Sequence, residues 1–187
     1  MILTIALAGF IWTVFIGFWV LQAYQTPKEG KERDWRAPAL FVGIALVAYH
    51  LIQQVPSAML IGRFIPDDYL TGGLGLVKLT LGLGLAVWAR VHLADQWTAI
   101  PAVNEETRLI RTGPYKYLRH PIYAGVLGGI WGTAVIFGNM LLFFLLLLVF
   151  VGFLIKAHYE ERLLEDELGE EYMEYKKGTK MLIPWVL

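Results

Sequence analysis

The chain has 187 residues, of which 57% are hydrophobic and only 17% charged. That charge content is well below the quarter usual in a soluble domain, so much of the apolar surface has to face lipid. Sixteen basic residues balance sixteen acidic ones, which gives no electrostatic footprint for nucleic acid, and the absence of cysteine excludes disulfides, thiolate metal sites and cysteine nucleophiles.

A membrane helix needs roughly 20 mostly apolar residues. The first run, Ile2 to Tyr24, supplies them without a single charge and has no basic leader, so it reads as a retained helix rather than a cleaved signal. A polar stretch from Gln25 to Arg36 follows. The second run, Pro38 to about Ile61, is interrupted by His50, Gln53 and Gln54, and Pro56 predicts a kink. A short loop with Arg63, Asp67 and Asp68 leads to the third run, Thr71 to about His92, rich in Gly and Leu and carrying Lys78, which has to snorkel or face protein. After the long polar loop from Ala94 to Arg119 come two apolar runs, Pro121 to Phe137 and Met140 to about Lys156. Only Gly138 and Asn139 separate them, which predicts a tight helical hairpin. From His158 onward the chain is charged and amphipathic.

The reading is an all-α integral membrane protein with about five transmembrane helices, the last two a hairpin, followed by a cytoplasmic C-terminal amphipathic helix. It is one membrane domain, residues 1–187, with three spans in 1–94 and a loop, hairpin and tail in 95–187. Lys and Arg mark cytoplasmic loops. They gather in the first loop, in the third loop (Arg108, Arg111, Lys116, Arg119) and in the tail (Lys176, Lys177, Lys180), so the N-terminus is expected outside and the C-terminus in the cytoplasm. With no organelle signal, a prokaryotic inner membrane is the simplest location.

Two stretches carry most of the chemistry. The first runs from Arg111 through Gly113, Pro114, Tyr115, Tyr117, Arg119, His120, Pro121 and Tyr123 to Gly125; the second from Lys156 and His158 through Glu160 and Glu161 to Tyr172 and Tyr175. Gly113-Pro114 makes a turn, and Pro121 sits where a helix starts, since its missing N–H is not needed there. The hairpin is expected to bring both stretches to one membrane face as a pocket of His, Tyr, Arg, Lys and carboxylates. Taken singly, each has a duller role: Tyr117 as an aromatic-belt anchor, Arg119 as a positive-inside charge, His120 as a helix-entry residue, Glu160 and Glu161 as a solvated face, Lys156 as a snorkelling cation. His50, Gln53 and Gln54 read as interhelical hydrogen bonders.

Together, the order Gly-Pro-Tyr-x-Tyr-x-Arg-His-Pro-x-Tyr-x-Gly at residues 113–125, the pair Glu160-Glu161, then Leu168-Gly169, Tyr172, Tyr175 and Ile183-Pro184, resembles the isoprenylcysteine carboxyl methyltransferase family and its phospholipid methyltransferase relatives. The resemblance covers about half of the chain, from Gln96 on. It implies S-adenosyl-L-methionine as methyl donor, held by Thr107, Leu109, Ile110, Tyr115, His120, Pro121, Ile122, Tyr123 and Glu160. It implies a lipophilic or lipid-modified acceptor reached from the bilayer, and neither metal nor nucleic acid. Lys156, Arg119 and Glu161 are the expected catalytic residues: the two cations would place an anionic group, and Glu161, His120 or His158 would serve as base for an amine or thiol. The family often has Arg where this chain has Lys156; charge is kept, but the bidentate fork that matches a carboxylate is not. Two alternatives are an NADPH-dependent membrane reductase of the sterol reductase type, which Ile122 and Val126 argue against, and a non-catalytic membrane scaffold.

Overall fold

The computed structural model describes residues 2–25, 62–93 and 109–183. Five α-helices and one 3₁₀ turn account for most of them. Helix α1 is Ile2–Gln25, α2 Tyr69–Leu93, α3 Pro121–Phe137, α4 Met140–Leu168 and α5 Glu170–Gly178; the 3₁₀ turn is Gly113–Lys116. Helices α1, α2 and α4 are long and apolar enough to cross a membrane, and α3 is a shorter apolar helix. The expected second span, with His50, Gln53 and Gln54, lies outside the described residues, so the five-span count is neither reached nor refuted.

Helices α2 and α3 form the centre. The buried face of α2 reads Gly72, Gly75, Leu79, Gly82, Leu83, Ala86, Ala89 and Arg90, a stripe with helical spacing. It meets the glycine-rich face of α3. A methyl group on Gly82 would stand 2.6 Å from the carbonyl carbon of Gly128 and 2.7 Å from the carbonyl oxygen of Gly125. Lipid tails give helices no hydrophobic reason to associate, so such close backbone approach is what holds them. Helix α1 packs beside this pair through Ala8, with Ile11, Trp12 and Phe15 around Leu79, Leu83 and Ile136. The indole Nε1 of Trp12 donates to the Thr133 hydroxyl at 2.9 Å, and most other large side chains of α1 are exposed.

The hairpin between α3 and α4 turns as the sequence predicts. Gly138 takes the left-handed conformation at φ 64° that ends α3, and Asn139 caps α4 by accepting from the Leu142 N–H at 3.1 Å. Arg63 closes this turn from the side. Its guanidinium donates to the carbonyls of Ile136 and Phe137 at 2.8 and 3.0 Å, which satisfies acceptors that the helix end leaves open. Asp68 caps α2 by accepting from the Thr71 N–H at 2.7 Å, and that bond holds its carboxyl below the ordinary value.

Helix α4 does not stop near Lys156, where its apolar run ends, but continues to Leu168. The added turns carry Glu160, Glu161 and Glu165, all of which meet cations. Gly169, at φ 54°, then breaks the chain into α5, whose Tyr172 and Tyr175 are buried while most of its other residues are exposed.

Candidate functional site

The segment before α3 is fixed from two directions. The ring of Tyr115 is buried in the 3₁₀ turn, its hydroxyl pointing at the Ala89 carbonyl at the end of α2. The Tyr175 hydroxyl donates to the Tyr115 carbonyl at 2.7 Å, tying α5 to the same turn. Burial pushes the Tyr115 phenol up, and that of Tyr175 up to about 12, so both remain neutral donors. Beyond α5 the tail runs alongside: the Arg119 and His120 N–H groups donate to the carbonyls of Lys180 and Met181 at 2.8 and 3.0 Å. Met181 and Leu182 then pack on Ala157 of α4, with Tyr123, Phe150 and Leu154 around them.

These ties set His120, Tyr123, Lys156, Glu160 and Glu161 against one another, the juxtaposition the hairpin was expected to make. The Tyr123 hydroxyl lies 2.7 and 2.8 Å from the two Glu160 carboxylate oxygens. His120 faces both carboxylates, Nδ1 3.4 Å from Glu160 and Nε2 3.3 Å from Glu161. Burial alone would push this imidazole down. The hydrogen bonds and charges of Glu160 and Glu161 outweigh it and hold the group above its ordinary value. Both ring nitrogens of His120 face carboxylates, an arrangement that favours the protonated imidazole. Its ring stacks on Tyr123 with centroids 5.3 Å apart and planes 2° from parallel, and Tyr123 stacks in turn on Phe153 at 4.6 Å. The Lys156 ammonium stands 5.3 Å from the Tyr123 ring centre and 3.7 Å from Glu160.

Arg119 and Glu161 form a second, deeper unit. Arg119 Nε donates to Glu161 at 2.6 Å with the two side chains 9% and 2% exposed, and Nη1 donates to the Thr179 carbonyl at 2.6 Å. Lys176 lies 3.0 Å from the other Glu161 oxygen and 2.6 Å from Glu165, and these carboxylates raise its ammonium above the ordinary value. Both residues thus spend their charge on the protein. Glu160, by contrast, keeps 18% of its side chain open.

The remaining expected site residues divide. Pro121 is buried at the first turn of α3 and Ile122 half-buried beside it; Leu109 and Ile110 are half-buried ahead of the 3₁₀ turn. Thr107 lies outside the described residues. His158 turns away, its Nδ1 2.7 Å from the Leu154 carbonyl on an exposed face. Tyr117 is exposed, as an interfacial anchor would be, and Lys78 is exposed beside Trp131, 5.2 Å from the ring centre. The sequence reading missed Phe153 and Lys176. Phe153 was hidden in an apolar run; Lys176 follows the Tyr172–Tyr175 pair on the charged tail and had a signal only in that company. Among the described residues no cluster of His, Cys, Asp or Glu is fit to hold a metal.

Apolar helices of spanning length, with a polar cluster where α3 begins and α4 ends, mark an integral membrane protein that is helical throughout its described core. The phospholipid methyltransferase family model matches residues 70–171, more than half of the chain, and the chain belongs to that family. Among its relatives, the methanethiol S-methyltransferase 1 of Bradyrhizobium diazoefficiens is 42% identical over 73 residues, covering 38% of this chain and 24% of the relative. The protein-S-isoprenylcysteine O-methyltransferase of Schizosaccharomyces pombe is 34% identical over 138 residues, covering 71% of this chain and 56% of the relative. In fold the chain is similar to the eukaryotic intramembrane Ras methyltransferase ICMT, with a TM-score of 0.56 at 18% identity, covering 84% of this chain and 55% of that one. The matches thus span about a quarter to just over half the length of these proteins.

Proposed function

We propose that this chain is a methyltransferase that uses S-adenosyl-L-methionine to methylate a lipophilic acceptor at the membrane face. The observation that carries the reading is the Glu160 carboxylate, partly open, gripped by Tyr123 and His120 beside a stack of aromatic faces. A carboxylate next to aromatic faces is chemistry suited to an organic cation, so the donor set fits a sulfonium. The names of the relatives support the methyl-transfer part.

When bound, the donor supplies an electrophilic methyl group on a good leaving group. The chain's task is alignment and exclusion of water. Glu160 and Tyr123 would hold the donor's cation, with Tyr115, Pro121, Ile122, Leu109 and Ile110 in the wall around it, and Thr107 would be a further donor-binding residue. His120 orients Glu160. Arg119 and Glu161 act as positioning residues that fix His120 from below. Lys156 draws in the acceptor as an anion, a carboxylate or thiolate that needs no base. The cluster sits on the cytoplasmic side of a prokaryotic inner membrane, with the N-terminus outside.

Calorimetric titration of the detergent-purified chain with S-adenosylmethionine, against NADPH as control, tests the reading. Saturable binding of the former alone is expected. Glu160→Ala and His120→Ala should each weaken it about 100-fold, the size of losing one partner of a buried charge pair, while the protein still purifies. Unchanged binding in both variants overturns the assignment.

A further inference from the structure

Two ion pairs one helical step apart differ in tightness. Arg119 and Glu161 meet at 2.6 Å, buried and locked further by the Thr179 carbonyl. Lys156 and Glu160 meet at 3.7 Å, with both side chains partly open. The first is a planar fork held at two points. In the second, a compact charge sits on an unbranched four-carbon stem.

Among the groups around this ammonium are the Tyr123 ring, 5.3 Å away, and the Glu160 carboxylate. Phe153 backs the ring at 4.6 Å. Ring and carboxylate together are a cation site: the ring face attracts positive charge without demanding a hydrogen-bond donor, and the carboxylate supplies the counter-charge. An ammonium and a sulfonium are therefore competitors for one place. We propose that Lys156 is a built-in competitor for the cation site of Tyr123 and Glu160, which it must leave for the sulfonium of the methyl donor to be recognised there. This inference rests on the methyl-donor reading above and goes beyond it.

Two consequences follow from the geometry. Lys156 costs the donor affinity, but it costs the spent product less, because the product's thioether is neutral and has no claim on the cation site. And a Lys156 turned out of that site keeps its charge at the same pocket, where it serves an anionic acceptor only after the donor is in place. The chain's own ammonium would thus impose an order of binding, donor first.

The test is calorimetry with two probes that differ in the charge on sulfur, S-adenosylmethionine and the thioether S-adenosylhomocysteine, on the wild-type chain, Lys156→Met and Lys156→Arg. Met keeps the length of the stem and removes the charge. Lys156→Met should tighten S-adenosylmethionine about tenfold, the scale of a partly desolvated cation–ring contact, and leave S-adenosylhomocysteine within about twofold. Lys156→Arg should keep the discrimination of the wild type. The gain should persist at about 1 M salt, where screening acts over roughly 3 Å and removes repulsion at a distance but not occupancy of a site. Equal shifts for both probes, no shift, or a gain that vanishes in salt would overturn the proposal while leaving the methyl-donor reading intact. Failure of the wild-type chain to bind either probe would overturn that reading and this inference with it. Lys156→Gln gives the same comparison should the Met variant fail to purify.

Discussion

Between Gly125 and Gly132, α3 touches α2 almost backbone to backbone, with the charged side chain of Lys78 at the edge of the contact beside Trp131. At His120, just before its first turn, the same helix is held by Glu160, Glu161 and the tail through charges and hydrogen bonds. The two regions solve different problems. Inside a bilayer there is no water to expel from between helices, so shape has to do the joining. At the polar end, charges are available but expensive to bury, and they hold only while each keeps its partner. The glycine seam should therefore fail by added volume and the polar end by lost partners.

Glu161→Ala is the strongest test of the second half of that contrast. It leaves the Arg119 guanidinium, 9% exposed, with only backbone acceptors, and strands one side of His120 and Lys176. Breaking a buried pair in this way costs about 3–5 kcal/mol, which should appear as a large drop in the melting temperature of the detergent-purified chain. A residue that acted only on the acceptor would lower turnover and leave the melting temperature where it was; that outcome would move Glu161 from positioning to chemistry. Gly82→Val tests the first half. The added carbons meet the Gly128 and Gly125 backbone, which has nowhere to go, and the expected loss is about 3 kcal/mol. Gly84 is the internal control, since nothing lies within 4 Å of a methyl group placed there. Comparable losses at Gly82 and Gly84 would mean that β-branching in the helix, not the seam, sets the cost.

The same contrast decides what could be read from the sequence. Apolar runs announced α1, α2, α3 and the apolar part of α4, because a bilayer demands length and hydrophobicity and both are local properties. The Gly138–Asn139 turn was equally local. The motif residues His120, Tyr123 and Glu160 could be anticipated to meet, because the hairpin fixes which ends of α3 and α4 are neighbours. The partners of Arg119 could not. Its guanidinium ends on Glu161 and on the Thr179 carbonyl, far along the chain, and it arrives there only because the tail pairs with residues 118–120. Helix past His158 was expected, but that it continues α4 unbroken to Leu168 was hidden for a related reason. A charged run looks like solvent-exposed surface until cations from α5 and from the segment before α3 are placed beside it.

The smallest expected effect concerns His120, because it is a linkage term and not a deletion. Its imidazole faces Glu160, Glu161 and the Tyr123 ring; Arg119 shares the same Glu161 oxygen and Lys176 meets the other. The folded chain holds the group protonated to a higher pH than the unfolded chain does. A group raised in this way contributes its stabilisation in full below its unfolded value, about 6.5 for histidine. It loses that stabilisation as pH climbs from the unfolded value through the folded one, the interval in which the unfolded state binds fewer protons than the native one. The melting temperature of the wild-type chain should therefore decline as pH is raised from about 6 through neutrality, and His120→Gln, which keeps a donor but cannot titrate, should flatten that part of the profile. A wild-type curve that rises over the same interval would mean that burial has beaten the two carboxylates and that His120 enters the site neutral. A lone pair would then be available, and the acceptor would no longer need to arrive as an anion.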